Sequence, residues 1–358
     1  MTYFTPGPSQ LYPTVAGHIQ TALANDICAM SHRSAAYKAV HQHTTEMLRT
    51  LLAIPASHQI LFFASATEIW ERLLQNCVAQ QSLHFVNGSF SERFFAIAQE
   101  LQKPCSKIET EWGGGFFFAE KTGEKAIDLL NFTHNESSTG VMQPLTEVYK
   151  YAAANPATLL SLDVVSSIPF AEVDFEKIDA TYFSVQKGFG LPAGLGVLIA
   201  SERVLEKAIL RENQGFVTGS YHRFSQMWKK ATQFQTVETP NVLGIYLLGK
   251  VAEDMLKTGI EKIRQETWTK YELIKKAVTQ HENLDFYVKN EAFRSPTVLT
   301  IDTKKDSQVL ISALKARGFA MGDGYERNKG RQIRIANFPT HSVEDMVRMV
   351  SLMKADES

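Results

Sequence analysis

The sequence predicts an α/β protein built on an open, mainly parallel sheet, with its ligand held where the strands end. Three observations lead there. Short apolar runs alternate with helical stretches through the first two-thirds of the chain. The chemically suggestive residues follow the C-terminal ends of those runs, which is where open α/β sheets bind their ligands. From about Asn283 the pattern changes to shorter strands and helices, as a second, α+β unit would show.

A chain of 358 residues is too long for one small core and suggests roughly two domains. Composition is that of an ordinary globular protein, 44% hydrophobic and 21% charged with a formal net charge of −1. That balance gives no electrostatic reason to expect a nucleic acid or an anionic membrane as partner. Cys28, Cys77 and Cys105 are odd in number and show no CxxC pairing, so no disulfide framework is expected and a reducing, cytoplasmic location fits. The N-terminus lacks a basic region followed by an apolar block, and no apolar run approaches the roughly 18 residues that span a bilayer.

Pro6, Pro8 and Pro13 predict an extended arm at the start. A helix follows to Asn25, then Met30-Ser31-His32-Arg33-Ser34, then a helix over 35–52 with apolar residues at helical spacing and Ser34 as its N-cap. Arg33 at that helix start can fork onto a carboxylate or phosphate, or be an ordinary surface arginine. The strand 59–63 gives way to Ala64-Ser65-Ala66-Thr67-Glu68 and a helix. Small residues at a helix N-terminus let backbone N–H groups approach an anion, with Ser65 and Thr67 adding hydroxyls; a simple helix cap is the alternative. The GxxxxGK[ST] pattern of a nucleotide-triphosphate loop is absent.

A strand over 83–86 turns at Asn87-Gly88-Ser89-Phe90 into an amphipathic helix over 92–101. Phe90 at that turn can stack on an aromatic ring, though an isolated phenylalanine is more often core. The strand 127–132 runs into Thr133-His134-Asn135-Glu136-Ser137-Ser138-Thr139-Gly140, a polar binding turn or simply a turn made of the usual turn residues. After a helix near 145–155, the apolar run 158–162 ends in Asp163. The next strand, 182–185, ends in Gln186-Lys187, and Gly188, Gly190, Pro192, Gly194 and Gly196 follow. Glycines leave room for a lysine amine to reach a flat ligand, although a lone lysine in a turn is ordinarily solvated. An acid and a lysine, each ending a neighbouring strand, suit pyridoxal phosphate: the lysine joins the aldehyde and the acid pairs with the ring nitrogen.

Beyond residue 205 the chain reads as helical and polar. Pro240 is placed in the first turn of a long helix from Val242, read as continuing to residue 280, with Thr239 at its anion-friendly start. In the last unit Arg334 lies on the strand 332–336, where it can bind a substrate carboxylate or sit in a surface ion pair. No GxSxG elbow supports a serine hydrolase, and no spaced His/Cys/acid cluster supports a metal centre.

Together, Ser31-His32-Arg33-Ser34, His134-Asn135-Glu136-Ser137-Ser138-Thr139-Gly140, and Ser184-Val185-Gln186-Lys187 with its glycine-rich follower resemble the class V, fold-type-I pyridoxal-phosphate aminotransferases. Phosphoserine aminotransferases are the nearest group, and alanine–glyoxylate and serine–pyruvate aminotransferases the alternative. The resemblance runs from Phe4-Thr5-Pro6-Gly7-Pro8 to Arg334. It implies an N-terminal arm over 1–15, a large domain over 16–245 with a mainly parallel seven-stranded sheet, and a small α+β domain over 246–358. It further implies a homodimer with active sites at the interface and small amino-acid and 2-oxo-acid substrates.

By the same resemblance Lys187 carries the cofactor, Asp163 keeps its ring nitrogen protonated, Phe90 lies on its face and Ser137 bonds near its hydroxyl. Ser65, Ala66, Thr67 and Gln186 take the phosphate, with Thr239 donated by the other subunit. Arg334 binds the substrate α-carboxylate, and His32 and Arg33 its distal acidic group. The implied reaction passes the amino group of L-glutamate to 3-phosphohydroxypyruvate, giving O-phosphoserine for serine biosynthesis. Fold-type-I cysteine desulfurases need a mobile catalytic cysteine, and none of the three lies near these motifs. This chain departs from the family pattern at Ala64–Thr67, usually glycine-rich, at Phe90, often tryptophan, and at Glu238, usually asparagine. A carboxylate at Glu238 would repel a phosphate, so the side chain must turn away.

Overall fold

In a computed structural model, which describes residues 1–117 and 126–355, the chain builds two large sheets and a two-stranded one, Asn135–Glu136 with Val141–Met142. The larger has seven strands, in the order Gln59–Phe63, Gly196–Ala200, Ala180–Ser184, Leu159–Asp163, Leu129–Thr133, Ser82–Val86 and Cys105–Glu109. All run the same way except Gly196–Ala200, which is antiparallel to both its neighbours. Four of the strands are buried at every position. That is why they read as nearly continuous apolar runs, as strands covered on both faces must.

Alternation decides which layer each residue enters. Leu160 and Leu162 join the core that the helices Ala35–Leu52 and Val242–Thr258 cover, through Leu48, Leu51, Val251 and Met255. Leu159 and Tyr182 point the other way, into a core closed by the helices Ala66–Cys77 and Ser89–Glu100 through Ile69, Leu73, Phe94 and Ile97. With helices on both faces, ligand access is left to the edge where the parallel strands end.

The smaller of the two large sheets has five strands, ordered Thr2–Phe4, Phe319–Asp323, Gln332–Ala336, Val298–Thr303 and Leu284–Phe286. Its apolar face packs on the helices Ile260–Gln280 and Val343–Ala355. The N-terminal arm is therefore extended, and its first residues form an edge strand parallel to Phe319–Asp323.

Several expectations from sequence are corrected. The long helix after Val242 is two helices, Val242–Thr258 and Ile260–Gln280, broken at Gly259 with φ +90°, a conformation that ends helices. Pro240 is outside the first of them: Asn241 is the cap, accepting from the Gly244 N–H at 2.9 Å. The helical region beyond 205 resolves into Glu202–Asn213 and Phe224–Ala231. The strands Cys105–Glu109 and Phe319–Asp323 were not read from sequence; the first is a sheet edge with a mixed polar pattern, the second is short and follows Gly318. Ser34 caps the helix Ala35–Leu52 as expected, accepting from Tyr37 N–H. Among the described residues no helix is long and apolar enough to cross a membrane.

Candidate active site

The parallel strands deliver their following residues to one edge of the large sheet. In register, Thr133 lies beside Asp163 and Asp163 beside Tyr182. Three residues after the end of Ala180–Ser184, Lys187 therefore comes to the same place as Asp163. The turn that allows this needs glycine: a Cβ on Gly188 would stand 1.9 Å from the Ile168 carbonyl oxygen.

A cavity of about 200 Å³ opens there, and Ala66, Thr67, Phe90, Ser137, Asp163, Gln186 and Lys187 all line it. Seven of the sequence-derived residues are thus brought together. The Lys187 amine lies 5.6 Å from the centre of the Phe90 ring and forms no hydrogen bond among the described residues. Burial, helped by the nearby Arg334 guanidinium, pulls that amine down to about 8. Burial likewise pushes the Asp163 carboxyl up to about 7, against the Val165 N–H that donates to its Oδ1 at 2.9 Å. This carboxyl lacks a full cationic partner, and a positive charge placed opposite it would restore the anion.

Ser65 closes the turn before the helix Ala66–Cys77, its hydroxyl accepting from Glu68 N–H at 3.1 Å. The Ala66 N–H donates to Ser184 Oγ at 2.8 Å. The Gln186 Oε1 is buried without a partner. Arg334 spans the two sheets: Nε donates to the Asp323 carbonyl at 2.8 Å and Nη1 to that of Ser137 at 3.1 Å. Its remaining donors stay available beside the Tyr325 ring, whose centre is 5.1 Å away.

Three expected residues gather elsewhere in the chain. The Arg33 guanidinium donates to the Thr236 and Val237 carbonyls at 2.7 and 3.1 Å. His32 Nδ1 lies 3.3 Å from Thr239 Oγ1. His32, Arg33 and Thr239 form one cluster, and none of them lines the Lys187 cavity. Glu238 Oε1 lies 3.9 Å from His222 Nε2.

Other residues of the site were not read from sequence. Trp70 lines the cavity, with its buried indole N–H beside Asp163. It belongs to an apolar helical stripe with Ala66, Ile69 and Leu73, so no local signal separates it from core. Gly7 walls the lysine: a Cβ there would meet Lys187 Cε at 2.3 Å. Glu136, completely buried, accepts from the N–H and hydroxyl groups of Ser91 and Ser138 and braces the turn bearing Ser137.

These groups fit pyridoxal phosphate. The cavity pairs an amine without a hydrogen bond with a desolvated acid, an aromatic face, and a helix N-terminus for the phosphate. Comparison with known proteins agrees. A family model described as aminotransferase class-V matches residues 118–349. The chain is 25% identical over 350 residues to a phosphoserine aminotransferase of Rhodococcus opacus (strain B4), spanning 97% of this chain and 92% of that protein. A crystal structure of a phosphoserine aminotransferase from Cytophaga hutchinsonii ATCC 33406 superposes with a TM-score of 0.98 at 42% identity, over 100% of this chain and 99% of that one. An alanine–glyoxylate aminotransferase from Nostoc sp. shares the fold, with a TM-score of 0.80 at 20% identity over 99% and 95% of the two chains. The chain belongs to the class-V aminotransferases, and its chemistry is pyridoxal-phosphate-dependent transamination.

Proposed function

We propose that this aminotransferase moves the amino group of L-glutamate to 3-phosphohydroxypyruvate, forming O-phosphoserine, as a cytoplasmic homodimer. The observation that carries this is the single cluster of His32, Arg33 and Thr239, joined by the Arg33 bonds to the Thr236 and Val237 carbonyls. Lys187 is the basic side chain lining the cavity and Arg334 the one beside it, enough for one carboxylate. A substrate with a second acidic group needs more cation. A cluster that combines a distal-group arginine and histidine with a phosphate-binding threonine can be supplied as one unit by a second copy of the chain. The 42% identity to a phosphoserine aminotransferase along the whole chain supports the same reading.

When bound, the cofactor supplies an electron-accepting ring and a carbon that carries the amino group. Asp163 holds the ring nitrogen protonated, since an adjacent anion favours the charged form. Phe90 lies on the ring face, and Ser137 meets its hydroxyl. Ser65, Ala66, Thr67 and Gln186 hold the phosphate, with Thr239 reaching it from the second subunit. Arg334 orients the substrate by its α-carboxylate. Lys187, an amine of lowered proton affinity without a hydrogen bond of its own, would take the proton from the substrate α-carbon and deliver it to the cofactor carbon that receives the amino group. The organisation we infer keeps an arm over 1–15, a large body over 16–245 and a small one over 246–358, with the helix Val242–Thr258 packed on the core of the large sheet.

Steady-state transamination with glutamate and 3-phosphohydroxypyruvate, compared with alanine or serine and glyoxylate, tests the assignment. We expect kcat/KM for the first pair to exceed the others by about a hundredfold or more, the scale of one buried charge-assisted contact or two. A preference for glyoxylate would replace this reading with that of an alanine–glyoxylate or serine–pyruvate enzyme.

A further inference from the structure

The corner of the molecule next to the helix Ala66–Cys77 carries more negative charge than an anion site should tolerate. Glu68 stands in the first turn, its Oε2 accepting from Ala64 N–H at 3.0 Å. Glu238 stands beside Thr239, with its buried Oε2 left without a hydrogen bond. Both carboxylates line a second cavity, of about 230 Å³, together with Ala64, Tyr221, His222 and Thr239. His222 lies between them: Nδ1 is 2.9 Å from Glu68 Oε1 and Nε2 is 3.9 Å from Glu238 Oε1.

The imidazole is built into place. Its side chain is 7% exposed. The Tyr221 and Phe63 rings pack against it at a tilt, 4.2 and 5.5 Å between ring centres, while the His222 carbonyl accepts from Asn76 Nδ2 at 3.3 Å. The charged groups facing it are Glu68 and Glu238. Arg72 approaches Glu68 Oε1 only at 3.5 Å and is shared with Gln75 at 2.8 Å. The main counter-charge to two acids is therefore one histidine.

We propose that His222 is a positioning residue for the cofactor phosphate: clamped as an imidazolium between Glu68 and Glu238, it holds both carboxylates off the mouth of the helix Ala66–Cys77 and balances their charge. The inference rests on the reading that Ser65, Ala66 and Thr67 take that phosphate. Without the clamp, two anions beside the helix N-terminus would oppose a dianionic group at short range. Burial works to lower the imidazole, and the two carboxylates override it, holding it up to about 9. Glu68, whose Oε1 stands 2.9 Å from the imidazole, is held down to about 2. The imidazolium is thus present through neutral pH and is lost as pH rises through 9, and phosphate affinity falls with it.

Pyridoxamine 5′-phosphate and pyridoxamine are suitable probes, because neither bonds to Lys187 and they differ only in the phosphate. Their Kd values are measured for the wild type, His222→Gln, Glu238→Asn and the double variant. We expect His222→Gln to weaken pyridoxamine 5′-phosphate about tenfold or more, with pyridoxamine little changed, and adding Glu238→Asn to recover much of the loss. The wild-type preference for the phosphorylated probe should fall above pH 9, and that of His222→Gln should not. Equal loss of both probes, or a double variant no better than His222→Gln, overturns the proposal. If His222→Gln does not fold, Glu238→Asn decides alone: with one acid removed, the alkaline fall must move to lower pH, and an unmoved fall overturns the clamp. A wild type that binds both probes equally would remove the phosphate reading of Ser65–Thr67, and this inference with it.

Discussion

Lys187 and Lys270 are both buried, and in both burial pulls the amine down to about 8. Their surroundings differ. Lys270 donates to the Phe338 and His341 carbonyls, each at 2.8 Å, and ties the helix Ile260–Gln280 to the turn after the strand Gln332–Ala336. That turn is tied on: His341 Nε2 lies 2.9 Å from the Tyr3 carbonyl, and Phe4 stacks on its ring at 4.4 Å. Lys187 has no such anchors and looks into a cavity that also holds Asp163. Low proton affinity therefore does not distinguish a working lysine from a structural one. A donor without a partner, facing space and an acid, does.

The largest effect that could break this comparison is on turnover. Lys187→Ala should lower kcat by about a thousandfold or more and abolish the yellow absorbance of the lysine-linked cofactor. A yellow, active Lys187→Ala protein would end the assignment. Lys270→Met should act in the opposite sense. It leaves two carbonyls unpaired in the interior and should cost about 2–4 kcal/mol in urea unfolding, with the yellow absorbance retained. An unchanged urea midpoint would mean that the two carbonyls find other donors.

The smallest effect is on pH dependence and sharpens the comparison. Both amines titrate near 8 in the folded chain and near the ordinary lysine value of about 10.5 when unfolded. Between those values the unfolded chain binds more protons, so each lysine makes stability rise with pH there, and below 8 its penalty is complete. In cofactor-free protein, Lys270→Met and Lys187→Ala should each reduce the stability gain from pH 8 to 10 relative to wild type. With cofactor joined to Lys187, only Lys270→Met should still do so. A variant that keeps the full gain did not carry the titrating amine.

Much of the site could be read along the chain, because each strand end carries its own local signature. Asp163 and Lys187 follow apolar runs, Ser65 and Thr67 precede an amphipathic helix, and Ser137 lies in a dense polar turn. Parallel strands then bring such ends to one edge. Trp70, Gly7 and Glu136 gave no comparable sign. Trp70 sits in a core-like helical stripe, and Gly7 approaches Lys187 only through the fold of the arm. Glu136 is a buried acid only because Ser91, from a different strand–helix turn, supplies donors. Helical periodicity continues on both sides of Gly259 and hides the break there.

By itself, the sequence determined the alternation of most strands and helices, the acid and the lysine, and the small-residue turn before the helix Ala66–Cys77. These depend on residue type and short-range spacing, which the chain carries before it folds. Only the tertiary structure decided that His32, Arg33 and Thr239 stand apart from the Lys187 cavity, that Glu238 faces His222, and that one buried lysine is anchored while the other is not. Those outcomes depend on which distant segments supply donors, acceptors and counter-charges, and spacing along a chain does not encode that.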